Sequence, residues 1–192
     1  MNDFAQTLCT AFEGPRVLAR GPLRDIALTL NGRDSTSASN QVLIFDDSSG
    51  QPIDIDTRGT AAEILQRLNQ HPLAESGTIV RRAPGRPKLG VVAREVTLLP
   101  RHWEWLSAQS GGASVALRKL VDEARRTNQT KDHVRSAHEA TYRFMSSIAG
   151  NLPDYEEALR ALFANDLDRF SELVSTWPHD IRDYALKLAP QR

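Results

Sequence analysis

Residues 81–126 constrain this chain more than any other stretch. They run RRAPGRPKLGVVAREVTLLPRHWEWLSAQSGGASVALRKLVDEARR, in the order basic linker, short strand, helix, glycine turn, helix. Glycines and prolines at Pro84, Gly85 and Pro87 stiffen and interrupt the first part, so it reads as a linker. Pro100 suits the first turn of a helix, where its missing N–H leaves nothing unsatisfied. Ser110-Gly111-Gly112 ends that helix. Ser114, with its hydroxyl, is the better N-cap for the next, ahead of Ala113. That second helix places Leu117, Leu120, Val121 and Ala124 on one face.

The segment divides the chain. Before it, the pattern is β-rich. Strand candidates are 16–20 and 26–30, joined through Gly21-Pro22. Residues 42–45 and 52–56 flank Asp46-Asp47-Ser48-Ser49-Gly50 as a hairpin with a glycine-containing turn. Thr60 and Glu63 form a capping box for a helix to about Asn69. After the segment the pattern is helical: 130–149, closed by Gly150; 153–164, with Tyr155, Leu159, Leu162 and Phe163 inward; a third from Asn165 or Asp166, with Phe170, Leu173, Val174 and Trp177 inward; and a last one carrying Ile181, Tyr184, Ala185 and Leu188. The expected architecture is α+β. A β-rich N-terminal domain covers 1–75, a basic Gly/Pro linker 76–93, and a helical domain 94–192.

At 192 residues the chain can bury a core without a disulfide or metal staple. A single cysteine, Cys9, forms no internal disulfide, which fits a reducing compartment. Residues 1–14 lack the basic run of a signal peptide, and no apolar run approaches the roughly 18 residues of a membrane helix. A cytoplasmic protein with no membrane contact is expected. The zero net charge conceals an asymmetry: residues 1–80 carry −4, residues 81–126 +6 and residues 127–192 −2. A basic segment between acidic flanks is the footprint of a phosphate-binding surface, or of a linker that docks on acidic neighbours.

Val96 to Arg126 resembles the ribbon-helix-helix family of MetJ, Arc and CopG repressors, through strand Val96–Leu99, the Leu99-Pro100 step, the glycine turn and Ser114-Val115-Ala116-Leu117-Arg118-Lys119-Leu120. The resemblance implies a dimer whose paired strands enter the major groove, whose helices make the shared core, and whose second helix grips phosphate at its start. One register turns Val96 and Leu98 outward, where apolar side chains make no hydrogen bond to base edges; the other turns Glu95, Thr97 and Leu99 outward. Gly85-Arg86-Pro87 also resembles the core of a minor-groove AT-hook. The whole chain further resembles a bacterial family of this length with no assigned function, through residues 96–106, 112–121 and 169–178.

These readings converge on a dimeric nucleic-acid-binding regulator. Arg81, Arg82, Arg86, Lys88, Arg94 and Arg101 neutralise phosphate, with help from Arg118 and Lys119; Thr97 stands on the ribbon. The alternative is a protein-interaction adaptor. Trp103 and Trp105 lie roughly 200° apart on a helix, so Trp103 joins Leu106 in the core and Trp105 needs another partner, a domain, a second subunit or a ligand.

Catalytic constellations are weak. Asp46 does not start an EF-hand, since the sixth position is not glycine. Asp54 and Asp56 share a strand face that could hold only a weak cation, and His133 and His138, five apart, miss the spacing of a helical metal pair. Phosphate-loop, dinucleotide and nucleophile-elbow motifs are missing, and Cys9 has no activating neighbour. Neither an enzyme nor a cofactor or metal is expected.

Overall fold

The structure, a computed structural model, describes residues 4–33, 41–70 and 94–191. The chain divides into two compact units, one of Met1–Thr78 with His133–Arg192 and one of Ile79–Asp132. Residues 133–192 thus pack with the N-terminal sheet, whereas composition places a domain boundary at 94. None of the described helices is long and apolar enough to cross a membrane.

The first unit is built on an antiparallel sheet of four strands: β1 (Leu8–Glu13), β2 (Arg16–Pro22), β3 (Val42–Asp46) and β4 (Pro52–Ile53), in the order β2-β1-β3-β4. β1 pairs on both sides and is buried from Cys9 to Phe12. Both sheet faces are covered, so alternation sorts side chains between two cores and leaves no solvent face. Cys9, Ala11 and Ile44 join Leu23, Ile26, Ile64 and Leu68 on one side. Phe12 and Phe45 join Phe144, Leu162, Phe170, Trp177 and Tyr184 on the other. Ala11 faces Ala19 but Phe12 faces Val17, so Leu18 is the extra residue of a β-bulge. The bulge lets consecutive Leu18 and Ala19 both pack against the first core.

Residues 26–30, expected as a strand, belong to α1 (Leu23–Asn31). Leu23, Ile26, Ala27 and Leu30 follow the i, i+3, i+4, i+7 rule, and the first three are buried. A five-residue window inside that period contains enough apolar residues to imitate a strand. α2 (Ala61–Asn69) has its capping box: the Thr60 hydroxyl accepts from the Glu63 N–H, and Glu63 accepts from the Thr60 N–H. The expected hairpin forms between β3 and β4. Asp46 shapes its turn by accepting from the backbone N–H groups of Ser48 and Ser49.

α3 spans Pro100–Ser107, and α4 runs unbroken through 37 residues, Gly112–Ile148. The two helices expected over 114–126 and 130–149 are therefore one. Nothing between Ala113 and Ala149 is glycine or proline, so no residue breaks the ladder. The end of α4 enters the core of the first unit through Ala140, Phe144, Met145 and Thr141. α5 (Tyr155–Phe163), α6 (Leu167–Val174) and α7 (His179–Leu188) complete that core. Asp166 caps α6 by accepting from the Arg169 N–H at 3.1 Å. Phe163, expected inward, is 55% exposed. Ala158, Ala161 and Leu162 define the buried face of α5, and the next residue turns away from it.

Four aromatic rings form the centre of this unit. Phe12, Phe45, Phe144 and Tyr184 come from β1, β3, α4 and α7, with the Phe144–Tyr184 centroids 4.6 Å apart and Phe45–Phe144 5.0 Å. Edge-on pairs of this kind add about 0.5–1.5 kcal/mol each beyond the area they bury. Above them, Asp47 accepts from the Thr10 hydroxyl at 2.8 Å, the Tyr184 hydroxyl at 2.8 Å and the Lys187 ammonium at 2.7 Å. Partial burial pushes the Asp47 pKa up, but the hydrogen bonds from Lys187, Thr10 and Tyr184 outweigh it and hold it below its ordinary value. Burial, reinforced by Asp47, raises that of Tyr184.

Candidate functional site

In the second unit, only Leu106 and Ala116 are buried among the described residues. Two helices joined at Gly111 and Gly112, both at positive φ, pack around these two side chains. The apolar stripe of α4 extends beyond what eight-residue α3 covers, and Leu120 and Val121 remain 44% and 54% exposed. Six of the nine exposed large hydrophobic residues described in the chain fall here: Val96, Leu99, Trp103, Trp105, Leu120 and Val121. Natural surfaces rarely cluster apolar residues so densely without a use.

A cavity of about 390 Å³ opens between α3 and α4. Leu98, Trp105, Leu106, Leu117 and Leu120 line it, with Arg101 and His102 at its polar margin. The separation of the two tryptophans holds for Trp105, which is 53% exposed and faces this cavity. It does not hold for Trp103, expected in the core, which is 40% exposed. Leu106 fills the small interior of the hairpin, and an eight-residue helix has no room to bury an indole beside it.

The cationic residues divide. Arg81, Arg82, Arg86 and Lys88 lie outside the described residues. Arg94, Thr97, Arg101, Arg118 and Lys119 are all exposed. Residues 94–99, expected to be the ribbon strand, form no β-ladder within this chain. The structure brings Arg101 together with Trp105 at the cavity and places Arg118 and Lys119 on α4. It adds Arg125 and Arg126, which with Asp122, Gln129 and Asp132 line a groove of about 530 Å³. These two arginines contribute to the charge of 81–126, but a helix boundary expected near Thr127 hides that they extend the face begun by Arg118.

Ion pairing distinguishes the two units. Arg24, Arg33, Arg58, Arg143, Arg160, Arg169, Arg182 and Lys187 of the first unit each meet a carboxylate within 3.2 Å. Arg94, Arg101, Arg118, Lys119, Arg125 and Arg126 meet none among the described residues. Arg118 and Arg126 instead donate to the Ser114 and Asp122 carbonyls of their own helix, at 3.1 and 3.3 Å.

Other groups are committed elsewhere or inert. Asp56, a candidate with Asp54 for a weak cation, pairs with Arg58, whose hydrogen bonds lower its pKa to about 2. Among the described residues, no group of three or more His, Cys, Asp or Glu side chains is placed to hold a metal. Burial, with Asp46 and Asp47 near, pushes the Cys9 thiol up to about 12, far from the thiolate a nucleophile needs.

Comparison with characterised proteins and with solved structures gives no match. One family model does match, over residues 8–189, so it takes in the sheet, the paired helices α3 and α4, and α5 to α7 together. The chain belongs to that family, described as an uncharacterized protein conserved in bacteria (DUF2239).

Proposed function

We propose that this protein is a dimeric nucleic-acid-binding regulator that uses the cations of residues 81–126 against phosphate. The carrying observation is the six described cations left without carboxylate partners, in a chain whose other basic residues are mostly paired. A cation with no internal partner gives up only counterions when it meets phosphate. Val96 and Leu98 make no hydrogen bond to base edges, so contacts to the nucleic-acid backbone carry the binding and sequence preference is weak.

Fluorescence anisotropy with a mixed-sequence 20-base-pair duplex tests the reading. Binding is expected at low salt and weakens steeply as salt rises. Replacing Arg118, Lys119, Arg125 and Arg126 by Gln flattens the salt dependence by up to about 0.9 log unit for each phosphate no longer neutralised. No binding at micromolar protein and low salt would sink the proposal.

The apolar cluster favours self-association as the second element of the reading. A two-helix unit with two buried residues among those described gains little stability alone and more when a second copy covers Trp105, Leu120 and Val121. Light scattering checks it: a dimer is expected, and a monomer for L120E/V121E. A wild-type monomer that captures another protein through the same residues, and no nucleic acid, would instead establish the adaptor reading.

A further inference from the structure

We infer that residues 118–131 of α4 are a helix–coil switch, closed into helix by an anionic ligand on their basic face; the nature of the ligand rests on the nucleic-acid reading above. Every residue from Arg118 to His133 is exposed. The apolar stripe ends at Ala124, and from Arg125 to Lys131 the helix is polar on all sides. Such a stretch lacks the buried face that stabilises most helices in proteins. Thr127, Asn128 and Thr130 are poor helix formers. Lys119 and Glu123 stand four apart, as do Asp122 and Arg126, yet neither pair closes among the described residues. The only side-chain support described there comes from Arg118, Arg126 and Asn128 donating to carbonyls one turn back. In contrast, the same helix is anchored farther on by Ala140, Phe144 and Met145, all buried.

The ligand enters through geometry. As helix, the segment gathers Arg118, Lys119, Arg125 and Arg126 within an arc of about 120° that also holds Asp122 and stays net positive. As coil, it scatters them. A polyanion therefore binds the helical state more tightly and draws the population towards it. Closing the segment makes α4 one continuous helix from Gly112 to Ile148, so occupancy of the basic face fixes the helical register of everything between those residues.

Amide hydrogen exchange on the full chain tests this. In the free protein, amides 122–131 should exchange within about twofold of the unfolded rate, while amides 140–148 are strongly protected. Adding the mixed-sequence duplex should slow exchange at 122–131 by roughly tenfold or more. Protection at 122–131 already equal to that at 140–148 in the free protein overturns the switch. So does a duplex that binds through Arg125 and Arg126, judged by weaker binding to R125Q/R126Q, and leaves exchange unchanged. If no duplex binds, the nucleic-acid reading fails by itself, and long-chain inorganic polyphosphate decides: slower exchange upholds the switch, unchanged exchange rejects it. A third arm uses T127A/N128A/T130A, which raises helicity without touching a cation. It should slow exchange in the free protein and tighten binding of whichever polyanion binds by about three- to tenfold; unchanged affinity counts against the switch.

Discussion

Gly50 closes the β3–β4 turn at φ +63°, and a Cβ there would collide with the Ala140 carbonyl and lie 3.0 Å from the Ala140 Cα. Two backbones meet at this point with no side chain between them. Arg143 reinforces the contact by donating to the Ser49 carbonyl at 3.1 Å. Gly50→Ala is expected to cost at least about 3 kcal/mol, from left-handed strain and a clash neither backbone can relieve, and thermal unfolding by circular dichroism measures it. Asp47 gives a pH signature. Its pKa is held below the ordinary value in the folded protein, so its contribution is fully present above about pH 4 and is lost as pH falls through the folded value. Asp47→Asn should therefore lower Tm at neutral pH, by an amount corresponding to about 2 kcal/mol, and the difference from wild type should shrink in melts taken below about pH 3. A constant difference across that range would show that charge has no part in it.

Among the elements, α2 tests local chemistry most cleanly, because its capping box is exposed and involves only Thr60 and Glu63. Thr60→Ala should destabilise the protein by about 1 kcal/mol in a urea titration, with unchanged m. This helix is legible in the sequence because its start and its apolar face both lie within ten residues. The same holds for the inward sides of α6 and α7, whose expected residues are all buried. β1 is not legible. Its apolar and small residues show no polar alternation, since both faces of the strand are covered, and only packing against residues more than a hundred positions away reveals why. α4 misleads for the opposite reason: threonines and asparagine near 127–130 mimic a boundary, while the decisive fact is the missing helix breaker. The candidate site is half legible. Charge and the lone position of Trp105 can be read directly. That Trp103, Leu120 and Val121 are exposed follows from how little α3 covers, which no local pattern contains.

At the scale of the whole molecule, the two units differ in how they are held together. The first has two cores and many closed ion pairs, and the second has only Leu106 and Ala116 buried among its described residues. Unfolding by urea should consequently show a protected first unit and an early transition at Trp103 and Trp105. Tryptophan fluorescence of a Trp177→Phe variant, which keeps only those two indoles, checks this against circular dichroism; coincident transitions would mean one cooperative block. The covering of both sheet faces also bears on how the chain is made. Phe12 and Phe45 face a core whose other members, Phe144 to Tyr184, are translated about a hundred residues later. At roughly 5–20 residues per second, a nascent chain holds a half-covered sheet for about 5–20 seconds. During that interval the aromatic face that later becomes the centre of the first unit is open to any other apolar surface, so chains halted before residue 133 should aggregate or be held by chaperones until the helices that close this face leave the ribosome.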